Sequence, residues 1–298
     1  VRLAPAWRTY VALAGGVLIV STASILVRFA QGQGVPSLAI AAWRLTIAAA
    51  ILLPLVLARS RGELGKLDAR AWWFAGASGL FLALHFASWI VSLQYTSVAS
   101  SVALVTTNPI WIAIFSVLVL RERMPGLRAL AVGLSLAGSG VILWADAGVV
   151  TAGAPNPVLG NSLALVGSLT MCGYLLIGRR LRSGMTLLAY IGVVYAVAAV
   201  CLLSLALVLG TQMGGYPKIA WVLLAAMALG PQLLGHSAFN YALKHVSATM
   251  IALAVLGEPV GSTLLAWLMF DEAVSMTKLG GMALLLAGIF LAARSERA

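Results

Sequence analysis

Two dipeptides, Asn108-Pro109 and Glu258-Pro259, stand inside otherwise apolar runs. Each joins a side chain that is costly to remove from water to a residue that cannot donate a helical hydrogen bond. Of the eight acidic residues, Glu258 is the one that falls mid-run. Arg44, His85 and His236 are the basic residues placed in the same way. A carboxylate, an amide and two imidazoles can grip a dipolar solute or pass a proton. They lack the HExxH spacing of a zinc site, no nucleophile motif accompanies them, and no GxxxxGK[ST] loop is present to bind ATP. The chemistry they suggest is reversible binding, with no metal, no cofactor and no covalent step.

Helical spacing groups further polar and aromatic residues with them. Ser97, Ser101, Leu104, Asn108 and Trp111 form one stripe, and Phe81, His85, Ser88, Trp89 and Ser92 a second. Gln232, His236 and Asn240 form a third at intervals of four. Ser24 and Tyr174, each past the middle of its own run, are candidates for the same wall. Trp89, Trp111 and Tyr174 would give that wall π faces for an apolar side chain or an ammonium group. Each residue also has a plainer reading: an interhelical hydrogen bond for the histidines, a packed kink at the prolines, ordinary packing for the aromatics. Arg44 could pair with Glu258 across the bundle, or snorkel outward from its place near a helix start; a structural role is the favoured reading. Pro109 and Pro259 are expected to act as hinges by freeing the carbonyls of Val105 and Val255.

What must carry these residues is a membrane bundle. The 298 residues are 62% hydrophobic and 9% charged, against about 25% charged in soluble domains. A spanning helix needs about 20 apolar residues. Ten such runs fit at about 10–30, 37–57, 71–93, 97–120, 127–145, 157–178, 186–209, 219–243, 247–270 and 276–293. The runs are continuous, without the alternation of a membrane β-barrel. The first is read as a retained helix rather than a cleaved leader.

The net charge of +11 would suit nucleic acid were it not for its placement. Most basic residues fall in alternate connections, among them Arg59, Arg61, Arg121, Arg123, Arg179 and Arg180. That is the positive-inside pattern, and it puts both termini in the cytoplasm, with no nucleic-acid partner expected. Cys172 and Cys201 lie within runs and are expected to stay unpaired.

The runs repeat. Residues 87–143 lie over 237–293 at a constant offset of 150, without gaps. Leu93 meets Leu243, Ser97 meets Ser247, Pro109 meets Pro259 and Glu122 meets Glu272, and "LSLAGSGVIL" covers "LLLAGIFLAA". The chain therefore divides into residues 1–150 and 151–298, each with five helices. Five is odd, so the second half enters the membrane from the opposite side. Inverted halves with a midplane site between them are a recurrent design of secondary transporters. The glycines of the fifth and tenth helices, among them Gly133, Gly138, Gly140, Gly280, Gly281 and Gly288, suit close helix packing as scaffold or as a homodimer contact.

Two five-helix halves, each with a polar-Pro pair in its fourth helix, an acidic turn after it ("LRERMPG", "MFDEAVS") and a closing "LAG" helix, resemble the drug/metabolite transporter superfamily of EamA type. The chain is most similar within it to the YddG-like amino-acid exporters. The resemblance implies an all-α integral membrane protein that exports aromatic and other neutral amino acids across a bacterial inner membrane by alternating access. Its partners would be the small-molecule substrate and the lipid bilayer. Export of other metabolites or drugs is the alternative the same superfamily allows.

Overall fold

The computed structural model describes residues 6–109, 111–112, 115, 126–146, 155–271 and 275–295. Glu122 and Glu272, the acids of the two repeated turns, lie outside them. Seven described helical spans are long and apolar enough to cross a membrane, and two shorter apolar helices accompany them. The first half holds α1 (Ala6–Val20), α2 (Ala23–Gly32), α3 (Ser37–Arg59), the single turn α4 (Arg61–Leu64), α5 (Ala69–Ser92), α6 (Val98–Val105) and α7 (Gly126–Asp146). The second holds α8 (Pro157–Arg182), α9 (Leu187–Val208), α10 (Lys218–Met227), a π-helical stretch (Ala228–His236), α11 (Ser237–Ala242), α12 (Ala248–Val255), α13 (Glu258–Phe270) and α14 (Met276–Ser295).

The offset of 150 seen in sequence recurs in the element boundaries. Val98–Val105 becomes Ala248–Val255, and Ser37–Arg59 becomes Leu187–Val208. The same serine opens both equivalent helices: Ser97 accepts from the Ser100 N–H at 3.1 Å and Ser247 from the Met250 N–H at 3.0 Å, each satisfying a helix-start donor.

Packing obeys the same exchange. Helix α5 lies against α8, and its counterpart α10–α11 lies against α1–α2, the counterpart of α8. Two pairs are self-equivalent, α3 with α9 and α7 with α14. Inversion is visible along α8, whose 26 residues rise about 39 Å. The turn after α5 sits at its start, where the Asn156 N–H donates to the Tyr95 carbonyl and Thr96 donates to Asn161 Oδ1 at 2.9 Å. The equivalent turn after α11 sits at its end, where Arg179 donates to the Leu243 carbonyl and Arg182 Nε to that of Asn240.

Small residues fill the interior, including Ala23, Ala30, Ala39, Ala41, Ala99 and Ala103, while Leu207, Val208 and Phe290 are left on the outside. That is how a bundle packs when its solvent is lipid. Only part of the expected glycine contact is realised. A Cβ on Gly288 would stand 2.1 Å from Ser135 Oγ, so the α7–α14 approach depends on that glycine. Gly133, Gly140 and Gly280 meet nothing within 4 Å.

Among the described residues, four helices are irregular where continuous runs were expected. The first pass breaks at Ser21-Thr22, whose hydroxyls bond back to the Val17 and Ile19 carbonyls at 2.8 and 2.7 Å and so divert the backbone from its ladder. The fourth turns at Thr106-Thr107 and re-enters helix at Asn108; the ninth turns at Leu256-Gly257 and re-enters at Glu258. Pro109 and Pro259 are thus first-turn residues of new segments, where a missing N–H costs nothing, rather than kinks inside one helix. The fourth irregularity is the π-helical stretch around Pro231.

Candidate functional site

A small cavity lies between the halves, lined by Val20, His85, Trp89, Val105, Thr106, Asn108, Met171, His236, Phe239, Val255 and Glu258. All four irregularities border it, through Val20 before the first break, Thr106 and Asn108 at the second, Val255 and Glu258 at the third, and His236 from the π-helical stretch. A broken helix inside a membrane needs protein or a polar cavity beside its loose backbone groups. Val105 and Val255, the residues whose carbonyls the prolines leave without an N–H, both line this one.

Five of the expected site residues meet here: His85, Trp89, Asn108, His236 and Glu258. Asn108 and Glu258 open the second segments of α6 and α12 passes, so a carboxylate sits at a helix N-terminus, where the partial positive charge favours it. Glu258 is 5% exposed and has no ion-pair partner among the described residues. His85 Nδ1 lies 2.9 Å from the Gly167 carbonyl. A carbonyl can only accept, so Nδ1 carries the proton and neutral His85 presents Nε2 as an acceptor. Its ring stacks on Trp89 with centroids 6.1 Å apart and planes 12° apart, and lies 6.4 Å from that of His236.

Several lining groups have no hydrogen-bond partner although buried: Trp89 Nε1, Asn108 Oδ1 and His236 Nδ1. Buried polar atoms are nearly always paired within a protein. Three such atoms border one cavity, beside an aromatic wall of Trp89 and Phe239, an arrangement that would suit a solute polar at one point and apolar at another.

The other expected residues stand off the cavity. Ser101 is held by Ser92 at 2.6 Å, tying α6 to α5. Tyr174 donates to Asn240 Oδ1 at 2.8 Å, and Asn240 Nδ2 donates to Tyr195 at 3.4 Å, a cross-link between α8, α11 and α9. Ser24 is fully buried behind the first break, its hydroxyl without a partner. Trp111 is half-buried, with Nε1 unpartnered. Arg44 does not snorkel: it is 0% exposed, bonded through Nε to Gln232 Oε1 at 2.9 Å, with its guanidinium 4.2 Å over the Phe86 ring. Thr106, Met171 and Phe239 were not among the expected residues. They enter the lining through the helix breaks and the inter-half packing, for which no motif exists.

The EamA-like transporter family model matches residues 7–144 and again 158–294. The chain belongs to the EamA-like transporter family. It is a multi-pass membrane transporter, not an enzyme, within the drug/metabolite transporter superfamily. The uncharacterized transporter YyaM of Bacillus subtilis (strain 168) is 25% identical over 291 residues, covering 95% of this chain and 92% of that relative. A protein of known crystal structure matches 98% of each chain with a TM-score of 0.75 at 23% identity, a likeness of fold. Both matched segments of this EamA-like transporter contribute residues to the cavity.

Proposed function

We propose that the protein exports amino acids, aromatic and other neutral ones, across the cytoplasmic membrane by alternating access between its inverted halves. One observation carries the reading. The cavity combines the Glu258 carboxylate and the unpartnered Asn108 Oδ1, which suit an ammonium, with the unpartnered Trp89 Nε1–H, the His236 imidazole and an aromatic wall. An amino acid with an apolar side chain presents those features together. The resemblance to YddG-like exporters supports the direction of transport, and the basic loops support cytoplasmic termini.

The repeat supports alternating access. The α5–α8 contact and its counterpart, α10–α11 on α1–α2, are similar packings placed at opposite faces. Exchanging which one is tight moves the opening from one face to the other, while α3–α9 and α7–α14 stay paired.

Flux from proteoliposomes loaded with a panel of amino acids, with and without a pH gradient, tests the reading. Movement of phenylalanine, tryptophan or leucine above empty liposomes is expected, and gradient dependence reports proton coupling. Folded protein that moves no amino acid would overturn it and favour the metabolite or drug alternative.

A further inference from the structure

Arg44 and Gln232 face one another inside the bundle. Arg44 Nε donates to Gln232 Oε1, which leaves Arg44 Nη1, Nη2 and Gln232 Nε2 without partners, all buried. Three nitrogens that can only donate are therefore gathered at one point of a low-dielectric interior. No carboxylate lies within ion-pair distance of Arg44 among the described residues. A buried guanidinium with unmet donors is strongly unfavourable unless an acceptor comes to it.

The internal repeat shows that the scaffold does not require this pair. At an offset of 150, Arg44 corresponds to Val194, Gln232 to Leu82 and His236 to Phe86, and these three are fully buried or nearly so. The same packed positions are apolar in the other half. The backbone departs from the repeat in the same place: the stretch that carries Gln232 and His236 is π-helical, whereas its counterpart in α5 is α-helical throughout. Such departures inside a helix often mark functional positions.

The pair lies one ring behind the cavity. Arg44 stacks on Phe86, and Phe86 lies 5.1 Å edge-on to His236, which lines the cavity. Arg44 also interacts electrostatically with Glu258, His85 and His236. The unmet donors of Arg44 and Gln232 thus lie on the α3 and π-helical side, and Glu258 and Asn108 Oδ1 at the helix breaks.

We propose that Arg44 and Gln232 form the carboxylate-binding end of the transport site, opposite an ammonium-binding end at Glu258 and Asn108. Naming the anion a carboxylate rests on the amino-acid reading above. The site would then sort molecules by the order of two charges along them, and the Phe86 side chain would shift as the carboxylate reaches the guanidinium.

Binding by tryptophan fluorescence in lipid nanodiscs separates the possibilities, using phenylalanine, its methyl ester, phenethylamine and 3-phenylpropionate. The wild type is expected to bind phenylalanine more tightly than the ester or the amine. Arg44→Gln should weaken phenylalanine and 3-phenylpropionate by about tenfold or more and leave the ester and amine unchanged. Arg44→Lys should retain part of the affinity. Gln232→Leu, which installs the residue of the other half, keeps the cation and should weaken the same two ligands less; it carries the test if Arg44→Gln does not fold. Equal loss for all four ligands, or none, would overturn the proposal and leave Arg44 as scaffold or as a counter-charge to Glu258. A wild type that binds 3-phenylpropionate but not phenylalanine, with the same dependence on Arg44, upholds the anion site and sinks the amino-acid reading. A wild type that binds amine, ester and phenylalanine alike sinks the carboxylate site alone, and one that binds none of the four sinks both.

Discussion

Asn108 and Glu258 occupy equivalent positions 150 residues apart, each one residue before a proline that restarts a broken helix, and both side chains line the same cavity. The duplication gave two similar helix breaks, and divergence made one an amide and the other a carboxylate. Glu258→Gln keeps the shape and removes the charge. Transport should fall by about tenfold or more while the variant folds, since a lone membrane-buried carboxylate is costly to the fold. Asn108→Ala should reduce transport less. Normal flux in folded Glu258→Gln protein would remove Glu258 from the site.

Pro259 stands in the first turn of α13. Replacing it with alanine restores an N–H that can bond the Val255 carbonyl and let the helix run on through the break. Pro259→Ala should therefore melt at the same temperature or slightly higher, while turnover drops several-fold. A clear loss of melting temperature would show that the proline holds the fold rather than the break.

Gly288 and Gly280 share a helix but differ in surroundings. A Cβ at Gly288 meets Ser135 Oγ at 2.1 Å and the Ala131 carbonyl at 2.7 Å, whereas one at Gly280 meets nothing within 4 Å. Gly288→Ala should cost about 1–3 kcal/mol through overpacking, and Gly280→Ala should be neutral or mildly stabilising. Thermal unfolding of the two variants side by side decides it.

Tyr174 joins α8 to Asn240 rather than facing the cavity. Tyr174→Phe leaves Asn240 Oδ1 short of a buried donor, at a cost of about 1–2 kcal/mol. Stability should drop while substrate affinity stays within about twofold. A selective loss of affinity at unchanged melting temperature would return Tyr174 to the site.

His245 lies in the turn between α11 and α12, and partial burial, with Lys244, Arg182 and Arg179 nearby, holds its imidazole below the ordinary 6.5. The folded state therefore binds the proton less readily than the unfolded chain. Stability at this site is intact above about pH 6.5 and falls as pH drops through that value. The group is only partly buried, so the effect should be small. His245→Gln should flatten the slope of melting temperature against pH in that range, and an unchanged slope would assign it elsewhere.

Much of the architecture was legible in the residues. A chain 62% hydrophobic and 9% charged has no surface to offer water, and where residues are described the apolar runs fall within a few residues of the helices. The offset that aligned Pro109 with Pro259 and Ser97 with Ser247 also sets the helix boundaries and the exchange of packing partners, because a repeated sequence repeats its caps and turns. Five of the ten residues expected to bind substrate do gather at one cavity.

The rest depended on tertiary structure. Helical spacing put Asn240 in one stripe with Gln232 and His236, yet the π-helical stretch ends at His236 and Asn240 turns instead to Tyr174 and Tyr195. Ser101 and Tyr174 look as polar in sequence as Asn108, but each meets a partner on another helix. Arg44 read as able to pair with Glu258 or to reach the surface, with a structural role favoured, and it became a buried donor because Gln232, 188 positions away, lies against it. Composition and periodicity determine which segments leave water and where they begin and end, since those are sums over local residues. Which polar groups end up paired and which face the cavity is decided by the rotation of each helix about its axis and by contacts between distant segments, and only the assembled bundle sets those.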